Sequence, residues 1–373
     1  MELPSYFTDF LKEIRLTKAQ RADAATGHKT LRKRLTEDDE YKDKVVSTFI
    51  QGSYRRATAV RPKGDKRSDV DVIVVSNLDH NEWTPKQVLE YFEGFVKKYY
   101  DGKYEIQGRS IGINLSYVAL DLVITAAPSE AQQKALRSAA VQTDRDLEEA
   151  ADWLLSTTWS ENALFLAEAA AQPTWKKEPL LIPDLDTQEW QRTDPLTQIA
   201  WAANKNRVCN KHFVNLVKAI KWWRLLQEGL PKYPKGYSLE RLIGECCPDG
   251  VGSVAEGVTL TLEDFVLRFE PDILDERTPV LRDYGVPEHD VLKRVDFDDF
   301  KALYDAVAEA AEAARTALDE KDLTASACQW RELLESKFPE PKDGCKSRNA
   351  SGGAAAGFTV PTTRSTPDRT RFA

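Results

Sequence analysis

Excess positive charge is missing from this chain of 373 residues: Lys and Arg total 52 against 60 Asp and Glu, a net charge of −8. A protein that wraps long nucleic acid usually carries a basic domain, so no stable nucleic-acid partner is expected, although a small anionic ligand needs only a local cluster. Cysteine is scarce. Five are scattered, an odd count with no C-x-x-C pair, which suggests neither a disulfide framework nor a zinc site. His28, His80, His212 and His289 are far apart and form no metal-ligand pattern. No apolar run approaches the roughly 18 residues of a membrane span. The opening "MELPSYFTDFLKEIRL" lacks the basic-then-apolar layout of a signal peptide. The expectation from these absences is a cytoplasmic, reduced protein with no membrane partner.

What is present is ordinary for a globular chain, 42% apolar and 30% charged, and long enough for two or three domains' worth of core. Phe7, Phe10, Leu11 and Ile14 have helical spacing and predict a long helix over residues 6–35. Strand-like stretches follow: "KVVSTFIQ", "VDVIVVS", "YEIQGRSIGINLS" and "YVALDLVITAA". One helix, over 84–100, interrupts them, with Thr84 suited to cap it and Pro85 to its first position. From about residue 129 long Ala- and Leu-rich periodic segments predict a mainly helical half. The clearest is "NKHFVNLVKAIKWWRLLQEG", with Phe213, Leu216, Val217, Ile220 and Trp223 on its apolar face. After Pro339 the chain turns rich in Gly, Ser, Thr and Pro and reads as a disordered tail. The expected fold class is α+β, with a core lobe over 1–128, a helical lobe over 129–338 that closes a cleft, and a tail over 339–373.

Two carboxylates, Asp69 and Asp71, stand in the apolar run "DVDVIVV". Alternation puts both on one face, about 6–7 Å apart, where they repel. Burying them uncompensated would cost several kcal/mol, and a divalent cation is the natural compensation; hard oxygens at this spacing suit Mg²⁺. Asp121 is as oddly placed, between Leu120 and Leu122. If its strand pairs near Val70–Val74, three carboxylates converge, an arrangement for two metals about 3.5–4 Å apart that stabilise both oxygens of an in-line phosphoryl displacement. Gly52 and Ser53 end the first strand, where glycine permits close approach to a phosphate and serine adds donors. D-x-D alone is common on exposed strands; the ordered combination is much more specific.

This combination resembles the nucleotidyltransferase fold of the DNA polymerase β superfamily. The fuller string "QGSYRRATAVRPKGDKRSDVDVIVV" looks like the bacterial relatives of cyclic GMP-AMP synthase, the CD-NTases. The resemblance spans roughly residues 5–338. It implies a mixed-sheet core with a long N-terminal helix, metal held by Asp69, Asp71 and Asp121, and a nucleotide site at Gln51, Gly52 and Ser53. It also implies that lysines of a later helix touch the donor triphosphate. Lys218 and Lys221 share a face there, and Lys221, before Trp222, matches the better-placed one. Tyr237 in "KGYSLE" matches the aromatic that stacks on the donor base. Gly236 stands where the family often has serine, and Ser238 follows, so which group supplies the triphosphate hydroxyl stays open.

The implied activity is Mg²⁺-dependent synthesis of a cyclic di- or trinucleotide messenger from ATP, GTP or both, acting on a downstream effector in antiphage defence. Asp121 is the candidate to deprotonate the attacking hydroxyl. The animal sensor's zinc insertion has no counterpart here, which implies an enzyme not gated by DNA. A non-cyclising nucleotidyltransferase that modifies tRNA or protein, or a catalytically silent nucleotide- or RNA-binding module, remain the alternatives. Some bacterial relatives have their C-termini joined to targets by a ubiquitin-ligase-like partner. The ending "TRSTPDRTRFA" then implies Ala373 as a conjugation terminus with Phe372 as its anchor.

Overall fold

The computed structural model describes residues 1–64, 66–126 and 180–345. The chain opens with two helices, α1 (Pro4–Ile14) and α2 (Lys18–Glu37). The single helix expected over 6–35 is therefore broken. Arg15 is extended (φ −78°, ψ 158°), and Thr17 caps α2 through a reciprocal box with Gln20.

Strands β1 (Val45–Gln51), β2 (Asp69–Ser76), β3 (Tyr104–Ile106), β4 (Ile111–Asn114) and β5 (Ala119–Thr125) form one sheet in the order β1-β2-β5-β4-β3. Only β2 and β5 run parallel. The stretch "YEIQGRSIGINLS" is thus a hairpin, turned at residues 107–110, rather than one strand. Helix α3 (Gly52–Arg55) is a single turn directly after β1. Helix α4 (Pro85–Tyr100) follows β2, with Thr84 and Gln87 forming its capping box and Pro85 in its first turn, as expected.

Even-numbered residues of β2 and β5, Val70 to Val74 and Leu120 to Ile124, pack on α2 and α4 through Leu31, Leu35, Phe92 and Phe95. The odd-numbered face carries Ile73, Val75 and Val123, buried with Phe49, Leu180, Leu196 and Ile199. Asp69, Asp71 and Asp121 share that second face at the end of the strands where this apolar cover stops.

A second sheet, the hairpin β6 (Leu180–Asp184) and β7 (Glu189–Thr193), lies in the half expected to be mainly helical. Helices α5 (Pro195–Val208), α6 (Phe213–Leu226), α7 (Tyr237–Cys246), α8 (Val254–Leu274), α9 (Phe297–Asp319) and α10 (Leu323–Leu334) follow. Asp194, Ser253, Asp296 and Asp322 cap four of them with side-chain oxygens. The core of this half takes in α1: Phe7, Phe10, Leu11 and Ile14 are buried with Phe213, Trp223, Trp330 and Phe338. Phe7 meets Trp330 edge-on at 5.0 Å between centroids.

Cys328 on α10 is bonded to Cys345. No disulfide was expected from the sequence, because a spacing of 17 residues matches no motif and the pair meets only when the chain folds back along α10. Residues 127–128, the start of the helical half at 129–179, and the tail from 346 onward, including Phe372 and Ala373, lie outside the described residues. Among the described residues no helix is long and apolar enough to cross a membrane.

Candidate active site

The strand register explains the carboxylate cluster. Asp71 pairs with Asp121 across the parallel β2–β5 ladder and with Gln51 across the β1–β2 ladder. Asp69 lies two residues earlier on the same face. One oxygen from each of Asp69, Asp71 and Asp121 lies within 4.8 Å of the others. Burial, and then the charges of Asp71 and Asp121, push Asp69 up to about 8. Burial and Asp71 push Asp121 up to about 6. Asp71 is raised by burial, although the nearby Arg56 and Lys221 charges draw it down. Asp69 is the solvent-exposed member, so for it the mutual repulsion is the firmer cause of the rise. Three hard, closely spaced oxygen donors that repel one another fit a divalent cation.

Gly52 is indispensable to this geometry. Its φ is +74°, and a Cβ placed there would lie 1.7 Å from Asp71 Oδ2. The turn is closed by hydrogen bonds from Arg56 N to Gly52 O (3.0 Å) and from Thr58 N to Ser53 O (2.9 Å).

Behind the turn lies a buried ionic group that sequence reasoning missed. Arg56 Nε donates to Glu240 Oε2 at 2.9 Å, and Lys221 Nζ donates to Glu240 Oε1 and to Thr58 O, each at 3.0 Å. Burial alone would raise the Glu240 carboxyl, but Arg56 and Lys221 bring it down to about 2. The Arg56 guanidinium also lies over the Tyr237 ring, 5.2 Å from its centroid. Arg56 stood inside the stretch "QGSYRRATA". Glu240 carried no local mark, because its partner is 184 residues away in sequence.

Lys218 and Lys221 do share one side of α6. Lys218 is 5% exposed, and no anionic partner is found for it among the described residues. Burial, then the charges of Arg15, Lys221 and Arg21, hold its pKa well below the ordinary lysine value. Tyr237 and Ser238 line a cavity of about 520 Å³ together with Arg109, Arg192 and His289. The Ser238 hydroxyl donates to Val291 O at 3.0 Å. Lys235, also unmarked by the sequence, is exposed and close enough to lower Asp69 and Asp121.

A profile described as "Second Messenger Oligonucleotide or Dinucleotide Synthetase domain" matches residues 1–130. A "Cyclic AMP-AMP-GMP synthase" of Enterobacter hormaechei is 46% identical over 387 residues, covering all of both chains. A "Cyclic AMP-AMP-AMP synthase" of an Acinetobacter species is 27% identical over 381 residues, covering 99% of this chain and 97% of that one. Among solved structures, the Vibrio cholerae cyclic AMP-GMP synthase DncV superposes with a TM-score of 0.62 at 12% identity, covering 91% of this chain and 98% of DncV, a likeness of fold. Full-length relatedness, a polymerase-β-like α+β fold and the carboxylate cluster agree, and the chain belongs to the bacterial cGAS-like nucleotidyltransferases, the CD-NTases, enzymes that synthesise cyclic oligonucleotides.

Proposed function

We propose that the cleft joins ATP and GTP into a cyclic trinucleotide of two AMP and one GMP, the product named for the Enterobacter relative. The observation that carries the reading is the register of Asp71 against Asp121, with Asp69 beside them. These three would hold Mg²⁺, which when bound supplies charge stabilisation to the phosphoryl oxygens and the leaving pyrophosphate. Gly52 and Ser53 accommodate the donor triphosphate. Tyr237 offers its flat face to the donor base. Asp121, raised to about 6, accepts the proton of the attacking 2′- or 3′-hydroxyl. That oxygen bonds to the α-phosphorus, the bond from this phosphorus to the bridging oxygen breaks, and pyrophosphate leaves with the electron pair. Repetition, and a last transfer within the linear product, closes the ring. The product acts as a second messenger in antiphage defence through a downstream effector.

Incubation with all four NTPs and Mg²⁺, then phosphatase and mass spectrometry, tests this. A phosphatase-resistant ring of two AMP and one GMP is expected. A product that loses terminal phosphate would instead mark a non-cyclising enzyme.

Lys218 is a buried lysine with no anionic partner among the described residues, and a triphosphate is the anion this reading supplies. Lys218→Met should therefore raise the melting temperature of the nucleotide-free protein, because it removes a desolvated charge at similar volume. It should also raise KM for ATP by about ten-fold or more, the loss of a charge-assisted contact of roughly 1.5–3 kcal/mol. A variant with lower stability and unchanged KM would remove Lys218 from the nucleotide site. Lys221→Ala should raise KM as well, and destabilise the fold, since it breaks the pair with Glu240.

Ala373 is proposed as a conjugation terminus, reached through the polar segment before it. Deleting the last few residues should leave purified-enzyme turnover intact and abolish covalent high-mass adducts in cells carrying the native neighbouring genes. Adducts that survive the truncation would refute this role.

A further inference from the structure

We infer that Glu240 is the positioning residue that keeps the Gly52-Ser53 turn in register with helices α6 and α7, an assignment that rests on the nucleotidyl transfer proposed above. Glu240 touches no reacting atom in that scheme. It acts through two linkages that both end on the turn. In the first, Oε2 holds Arg56, whose backbone N–H is bonded to Gly52 O at 3.0 Å. In the second, Oε1 holds Lys221, whose Nζ is also bonded to Thr58 O, and Thr58 N–H is bonded to Ser53 O at 2.9 Å.

Each helix carries a nucleotide-site residue one turn before its member of the network. Tyr237 precedes Glu240 by one turn on α7, and Lys218 precedes Lys221 by one turn on α6. Arg56 ties the pair further by lying over the Tyr237 ring. One carboxylate, with its side chain 7% exposed, thus sets the spacing between the phosphate turn, the base platform and the buried lysine.

The charge count separates positioning from simple bracing. Arg56 and Lys221 bring two positive charges and Glu240 one negative, which leaves one positive charge next to Asp71. Glu240→Gln leaves two. The extra charge attracts the triphosphate more strongly, while the loosened turn no longer presents it in line. KM for ATP should fall while kcat drops about 30-fold or more, as misplacement by a fraction of an ångström to one ångström does. Glu240→Asp restores the charge but is one methylene short. It should return KM to the wild-type value and leave kcat low.

A brace alone would give the opposite pattern. Activity would fall only with the folded fraction, and KM would stay level or rise in both variants; that result overturns the proposal. Should Glu240→Gln fail to fold, Glu240→Asp and Arg56→Lys carry the test. Arg56→Lys keeps the charge and loses the guanidinium plane, and a low kcat at unchanged KM is expected. ATP binding by equilibrium dialysis with Mg²⁺ is measured in parallel. If the wild type binds ATP but forms no cyclic product, the functional reading fails. Tighter ATP binding by Glu240→Gln than by the wild type then still supports the role of Glu240, and weaker or equal binding ends it.

Discussion

Replacing Asp71 with Asn should lower the rate of cyclic-nucleotide synthesis by about 10³-fold or more while leaving the protein folded. Asp71 is the central carboxylate, paired with Asp121 on one side and Gln51 on the other. On the proposed function, removing its charge withdraws a metal ligand from the place where phosphoryl charge develops, and several kcal/mol of stabilisation there corresponds to that factor at about 1.4 kcal/mol per decade. The metal-free protein should respond the other way, because the replacement relieves repulsion.

The pH dependence of the metal-free protein follows from the same cluster. Asp69 and Asp121 are held at about 8 and about 6, above the usual carboxylate value. A carboxyl raised in the folded state favours folding while protonated. Its contribution is complete below the unfolded value near 4 and is lost as the pH rises through the folded values. The wild type in chelator should therefore lose thermal stability between about pH 4 and pH 8, and Mg²⁺ should restore it increasingly with pH, since a ligating carboxylate must be deprotonated. Asp69→Asn should flatten the profile. Calorimetry across this range reads all three curves; a melting temperature indifferent to pH and to Mg²⁺ would count against the cluster as a metal site.

Gly52→Ala should be nearly as damaging to turnover as the loss of Asp71. The added methyl would lie 1.7 Å from Asp71 Oδ2 and 2.7 Å from its Cγ, and the backbone there has φ +74°. The left-handed conformation costs about 1–2 kcal/mol for an alanine, and the clash must also swing the carboxylate away from Asp121. Gly102→Ala separates the two effects. Gly102 has a similar φ of +69°, and a methyl added there would meet nothing within 4 Å, so this variant should lose stability alone. Equal turnover in the Gly52 and Gly102 variants would show that the Asp71 carboxylate has room to move.

The carboxylate cluster was legible because a strand's two-residue period exposes misplaced charges: Asp69, Asp71 and Asp121 break apolar runs on the face that alternation assigns them. Helix α4 was legible because Thr84 and Pro85 mark its start locally. The break at Thr17 was also written locally, as T-x-x-Q, but the apolar spacing of α1 masked it. The β6–β7 hairpin stayed hidden because its partly exposed strands pair with each other, and their bonds to the core sheet come from Ala126 and Gly108, far away in the chain. Glu240 and Arg56 were beyond reach for a different reason. Each reads as an ordinary charged residue until the fold brings together positions far apart in the chain.

The placement of α1 bears on how the molecule is made. Its apolar face, Phe7, Phe10, Leu11 and Ile14, finds its partners between Phe213 and Phe338. At a synthesis rate of roughly 5–20 residues per second, those partners leave the ribosome tens of seconds after α1 does. The sheet and α2 can assemble in that interval, while α1 waits with four large side chains uncovered. Completion of the second core thus waits for Phe338 to be made, and the nascent chain is exposed to aggregation and to chaperones in the time between the emergence of α1 and that of α10.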